Sequence, residues 1–86
     1  MKDKEELIEA AERGDLNRVK SLVEDGADIH YDNDEAFRWA SRGGHLEIVK
    51  YLVSRGADIH ANDDQALRWA KQKDRMSVIE YLEHLG

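Results

Sequence analysis

Apolar residues recur three and four positions apart along most of this chain, the spacing of one face of a helix. Leu7, Ile8, Ala10 and Ala11 make the first such stripe, and Leu16, Val19, Leu22 and Val23 the second. Ala36, Phe37, Trp39 and Ala40 make the third, and Ile48, Val49, Leu52 and Val53 the fourth. Ala66, Leu67, Trp69 and Ala70 follow, and a last helix is expected from Met76 to Leu85. The polar positions supply the stops and starts. Asp3 and Glu6 have the spacing of a capping box, with Asp3 as N-cap. Gly14 ends the first helix, Asp15 caps the second, and Gly26 ends that one. The next segment, ADIHYDND, is polar and too short for a helix, and its Asp and Asn residues favour turns. Asp34, or else Asn33, is expected to cap the third helix, which ends near Gly43 and Gly44. After ADIHANDD the cycle repeats, with a break near Asp74. The pattern predicts six helices in three antiparallel pairs, with two extended loops between the pairs.

Those stripes belong to a repeat. GADIHYDNDEAFRWASRGGHLEIVKYLVSRG, residues 26–56, matches GADIHANDDQALRWAKQKDRMSVIEYLEHLG, residues 56–86, thirty positions on and without a gap. Ala27/Ala57, Asp28/Asp58, Ile29/Ile59, His30/His60, Arg38/Arg68, Trp39/Trp69 and Tyr51/Tyr81 are among the identical pairs. Self-similarity at such a period is the mark of stacked helical units, each burying the apolar face of its neighbour. The copies differ in an ordered way. Glu9, Arg18 and Ser21 stand where later units have Trp39, Ile48 and Tyr51, and Lys71 and Glu83 stand where earlier units have Ser41 and Val53. Polar residues at those places are what terminal units need, so a complete short array is expected.

Composition narrows the function classes. The chain has 86 residues and a net charge of −6, which argues against a nucleic-acid or anionic-membrane surface. It has no cysteine and no proline, so thiol chemistry and disulfides are excluded and every backbone N–H is available to helices. No apolar run approaches the length of a membrane span, and MKDKEELIEA, charged from its second residue, is not the pattern of a signal peptide.

GADIH at 26–30 and 56–60, GHLEIVKYLVSRG at 44–56, and AFRWA and ALRWA at 36–40 and 66–70 resemble the ankyrin repeat. The resemblance spans the whole chain. It implies an all-α solenoid of three stacked helix-loop-helix hairpins with short projecting loops, as one domain over residues 1–86. Residues 1–25 would be an N-terminal capping half repeat, 26–55 a repeat, and 56–86 a C-terminal capping repeat. The family's usual period is about 33 and its first helix opens Thr-Pro-Leu-His, whereas this chain has Glu35-Ala36-Phe37-Arg38 and a loop three residues shorter. Ankyrin arrays bind other proteins through loop tips and the concave face of their first helices. The resemblance carries that role to Tyr31, Asp32, Asn33, Arg42, Ala61, Asn62, Asp63, Gln72 and Lys73, with Glu12 and Arg13 from the first unit. Tyr31 is the expected anchor, because tyrosine offers contact area at low entropic cost. The expectation is a monomeric, non-enzymatic module for a protein partner, without cofactor, nucleic acid or membrane, and cytoplasmic if natural. The alternative is an engineered, consensus-derived or structural scaffold with no natural ligand.

Bland roles suit the remaining candidates. Trp39 and Trp69 share a stripe with alanines and are expected to pack between successive units; tryptophan is also enriched at partner-binding hot spots, but the polar Glu9 at the first unit fits the packing role better. His30 and His60 occupy equivalent places in units whose helices lie about 8–10 Å apart, too far for one zinc ion held at about 2.0–2.1 Å. They are expected to bond loop backbone, and His45 likewise is read as structural. Asp32-Asn33-Asp34-Glu35 and Asn62-Asp63-Asp64 lack the glycine and glutamate of a calcium loop. Arg38 and Arg68 repeat on the helix and offer charge for an anionic group, but each is expected to pair with a nearby loop carboxylate. No serine lies in a nucleophile elbow, and no nucleophile, base and orienting residue are grouped.

Overall fold

The computed structural model describes residues 2–86, with side chains from residue 5 onward. Six helices follow in order: α1 (Lys2–Arg13), α2 (Leu16–Glu24), α3 (Tyr31–Gly43), α4 (Leu46–Ser54), α5 (Ala61–Gln72) and α6 (Met76–Leu85). They pair as α1/α2, α3/α4 and α5/α6. The pairs stack so that α3 lies between α1 and α5 in one row, and α4 between α2 and α6 in the other. The stack measures 30 × 21 × 19 Å. The row of first helices is lined by Ala10, Ala11, Ala36, Ala40, Ala66 and Ala70, all buried, and such small side chains let neighbouring helices approach closely. Larger side chains fill the space beneath: Leu7, Phe37, Val19, Ile48, Leu52, Val78 and Leu82 are buried in one continuous core.

The hairpin turns follow from local chemistry. Gly14 and Gly44 adopt φ of +81° and +75°, the left-handed conformation glycine enters without steric cost. Their counterpart Asp74 does the same at φ +56°, and aspartate is among the few other residues that tolerate it. Each turn then closes alike: the N–H groups of Asp15, His45 and Arg75 donate to the carbonyls of Ala10, Ala40 and Ala70 at 2.8–3.0 Å. Asp15 caps α2, its Oδ1 accepting the Arg18 N–H at 3.1 Å. α1 already includes Asp3, and the cap expected there depends on a side chain that lies outside the described residues.

The segments between hairpins are not extended loops. Asp28 and Asp58 first fold the chain back, each accepting on Oδ1 the N–H of the histidine two residues on, at 2.9 Å. Asp32, Asn33 and Asp34 then take left-handed φ of 56°, 58° and 59°, and Asn62, Asp63 and Asp64 take 55°, 57° and 60°. Three successive left-handed residues make one left-handed turn, closed by Asp34 N–H to His30 O at 3.2 Å and Asp64 N–H to His60 O at 3.1 Å. For most residues that conformation costs roughly 1–2 kcal/mol each, whereas Asn and Asp are among the few besides glycine that tolerate it, because their short polar side chains bond locally. This is why the turns read DND and NDD without a glycine. Neither Asp34 nor Asn33 caps α3 as expected. The left-handed path aims the Asp34 carboxylate at the next unit, where Oδ2 accepts the Asp58 N–H at 2.9 Å.

Candidate functional site

A repeated arginine holds these turns in place. Arg38 donates Nε to the Asn33 carbonyl at 3.0 Å and Nη2 to the Asp32 carbonyl at 2.7 Å. Arg68 does the same to Asp63 and Asn62 at 3.1 and 3.0 Å. The expected partners were loop carboxylates. The guanidinium instead reads the main chain, because the left-handed turn points two consecutive carbonyls at one planar donor group. Arg38 is only 6% exposed and adds a third bond, Nη1 to Gln65 Oε1 at 2.6 Å, which crosses to the next unit.

Two of the histidines bond side chains and not loop backbone. His30 Nδ1 meets the Asp34 carboxylate at 3.1 Å, and His60 Nδ1 meets that of Asp64. Hydrogen bonding to Asp34 holds the His30 pKa above its ordinary value of 6.5, with the charges of Asp34, Asp28 and Asp58 adding to it. His60 is raised for the same reason by Asp64. His45 Nε2 meets the Glu12 carbonyl at 3.1 Å across the first junction, and Arg75 Nε repeats that contact on the Arg42 carbonyl at 3.0 Å. Among the described residues no cluster of histidine and carboxylate groups is fit to hold a metal ion.

The face of the first helices carries an aromatic stack. The thirty-residue period sets Trp39 of α3 beside Trp69 of α5, with ring centroids 5.2 Å apart and planes tilted by 47°. Arg42, one turn beyond Trp39, lays its guanidinium 5.2 Å from one ring centroid and 5.8 Å from the other. Each such cation–π contact is worth about 0.5–1 kcal/mol when exposed and more when desolvated. Trp39 Nε1 donates to Glu35 Oε2 at 2.9 Å. Both indoles join successive units, as expected, but each remains half-buried and shows part of its surface to solvent. Apolar spacing marks a face; it does not say how much of a large ring that face covers.

The nine nominated residues fall into two bands. Tyr31, Asp32, Asn33, Asn62 and Asp63 are exposed at the turns that open α3 and α5. Arg42, half-buried, and Gln72 and Lys73, exposed, lie where those helices end, beside exposed Glu12 and Arg13 at the end of α1. At a rise of about 1.5 Å per residue, roughly 15 Å of helix separates the bands, and the tryptophan stack lies between them. Ala61 departs from the expectation. It is only 8% exposed, because the turn closes over it with its N–H on the Asp58 carbonyl at 3.2 Å, so it has almost no surface to offer a partner. Its counterpart Tyr31 is 38% exposed.

No curated protein matches the chain. The family model for ankyrin repeats (three copies) matches residues 7–86, which takes in every helix pair described above. Helical hairpins stacked in register, no strand among the described residues, and this match together place the chain: it belongs to the ankyrin repeat family.

Proposed function

We propose that this chain binds a protein partner through the turn tips and the exposed face of its first helices. Ankyrin repeats are generally protein–protein interaction modules and are typically non-enzymatic. The observation that carries the finer reading is the Trp39–Trp69–Arg42 stack. Tryptophan and arginine dominate the energetic centres of interfaces, and here both are half-exposed on a face held rigid by junction hydrogen bonds. The two bands of polar residues would form the rim around that centre. No helix among the described residues is long and apolar enough to cross a membrane. The reading is of a monomer acting in the cytoplasm, with residues 1–25 and 56–86 as caps. An ion pair within each outer unit supports the capping: Arg18 with Glu6 at 3.3 Å and Lys71 with Glu83 at 3.2 Å, at positions where the middle unit carries Ile48, Ala36, Ser41 and Val53.

Those same tidy ends favour the second reading, a structural or engineered scaffold without a natural ligand. A crosslinking pull-down with the wild-type chain and with Arg42→Glu, Lys73→Glu separates the two. Partners captured by the wild type and lost with the double variant support the binding reading. Capture that is unchanged by the variant, or none at all, overturns it.

A further inference from the structure

The outer face of the last unit repeats half of the junction that joins the second unit to the third. At that junction Asp34 accepts the Asp58 N–H, and Arg38 Nη1 donates to Gln65, seven residues further along. Both side chains are covered there, Asp34 to 4% and Arg38 to 6% exposure. One period later the same two groups are held in the same way from behind. Asp64 faces His60, and Arg68 grips the carbonyls of Asn62 and Asp63. Their forward-facing atoms, Asp64 Oδ2 and Arg68 Nη1, have no partner among the described residues, and the Asp64 side chain is 50% exposed. Beside Asp64 opens a cavity of about 280 Å³ lined by Ile59, Leu67 and Leu82 with His60, Asp64, Glu83 and Gly86.

The rest of that face is shut. Lys71 and Glu83 pair across it at 3.2 Å where the second unit carries Ser41 and Val53. A complete further hairpin would have to bury this ion pair, and desolvating two charges opposes such docking. A short segment that covers only the turn side would meet Glu83 at the edge of the cavity but need not bury the pair.

We infer that this end of the stack is a docking site for a peptide turn of a partner protein. The segment presents a main-chain N–H to Asp64 and, seven residues on, a glutamine or glutamate side chain to Arg68, with an aliphatic side chain in the cavity. The second junction supplies the template for each polar contact. Glutamate is the better match, because a carboxylate forms a charge-assisted bond with the guanidinium. This site is separate from the tryptophan face.

A synthetic peptide of residues 56–72, GADIHANDDQALRWAKQ, is the probe, titrated into the intact chain and followed by amide NMR. The expected result is saturable shifts at Asp64, Leu67, Arg68 and Leu82. A peptide carrying Gln65→Ala should bind at least about ten-fold more weakly, since it leaves the guanidinium without its acceptor, and one carrying Gln65→Glu should bind more tightly. Arg68→Ala in the chain should abolish the difference between these peptides. The inference is overturned by shifts that do not saturate, or by equal affinity for the Gln65→Ala peptide. Shifts centred on Trp39 and Trp69 would also overturn it while leaving the proposed partner face intact.

Discussion

Replacing Arg38 by alanine withdraws three donors from a buried position: Nε from the Asn33 carbonyl at 3.0 Å, Nη2 from Asp32 at 2.7 Å and Nη1 from Gln65 at 2.6 Å. Hydrogen bonds from a charged group contribute about 1.5–3 kcal/mol each, and a buried acceptor left unsatisfied costs about 1–3 kcal/mol. Part of that is recovered when water enters the space left by the side chain. A loss of about 3–5 kcal/mol is expected for the three bonds together. The chain contains its own control. Arg68 makes the same two turn contacts but is exposed and lacks the third bond, so water replaces it and Arg68→Ala should cost about 1 kcal/mol or less. In a domain of this size each kcal/mol moves the melting temperature by about 4–8 °C. Thermal melts followed by circular dichroism should therefore fall by at least about 12 °C for Arg38→Ala and by no more than about 8 °C for Arg68→Ala. Equal shifts would refute the claim that burial and the bond across the junction, and not the turn contacts alone, make Arg38 matter.

His30 is held above its ordinary pKa by Asp34, so the folded chain favours its protonated form. That stabilisation is fully present below about pH 6.5 and is lost as pH rises through the raised folded value. Urea midpoints should fall across that window, an NMR titration should place His30 above 6.5, and His30→Gln should flatten part of the slope; a midpoint that rises with pH there would contradict the sign. Tyr51 Oη is buried without a hydrogen-bond partner among the described residues. Tyr51→Phe should therefore leave stability unchanged or raise it by about 1 kcal/mol, and a drop in the urea midpoint would show that the hydroxyl is satisfied. Restoring the middle unit's residues at the outer face, by Lys71→Ser with Glu83→Val, removes an ion pair worth little by itself and exposes apolar surface. Sedimentation should then show association that grows with concentration, whereas a constant monomer mass would mean the pair does not guard that face.

The stack was legible because a gapless thirty-residue period leaves few ways to bury six apolar stripes. The turns were less so. Asp and Asn serve both as helix caps and as left-handed residues, and residue type alone does not separate the two uses. Asp34 therefore read as a cap, although its carboxylate reaches Asp58. The repetition of Arg38 and Arg68 is visible in the sequence, but main-chain acceptors leave no trace in side-chain identity. Its place in the repeat puts Ala61 among the contact positions, and only the path of the turn shows that the place is covered. The exposed polar residues at the helix ends come from the resemblance to ankyrin repeats, since helix phase by itself does not say which polar ends face a partner.

The unequal fastening of the two junctions sets an order of dismantling. Three side-chain hydrogen bonds and the paired indoles clasp the second unit to the third. Among the described residues the first unit is tied to the second by one such bond, from His45 to Glu12. Under mild stress the amino-terminal hairpin should peel away first, and a protease would nibble α1 and α2 while the remaining four helices still hold together as a zipped pair.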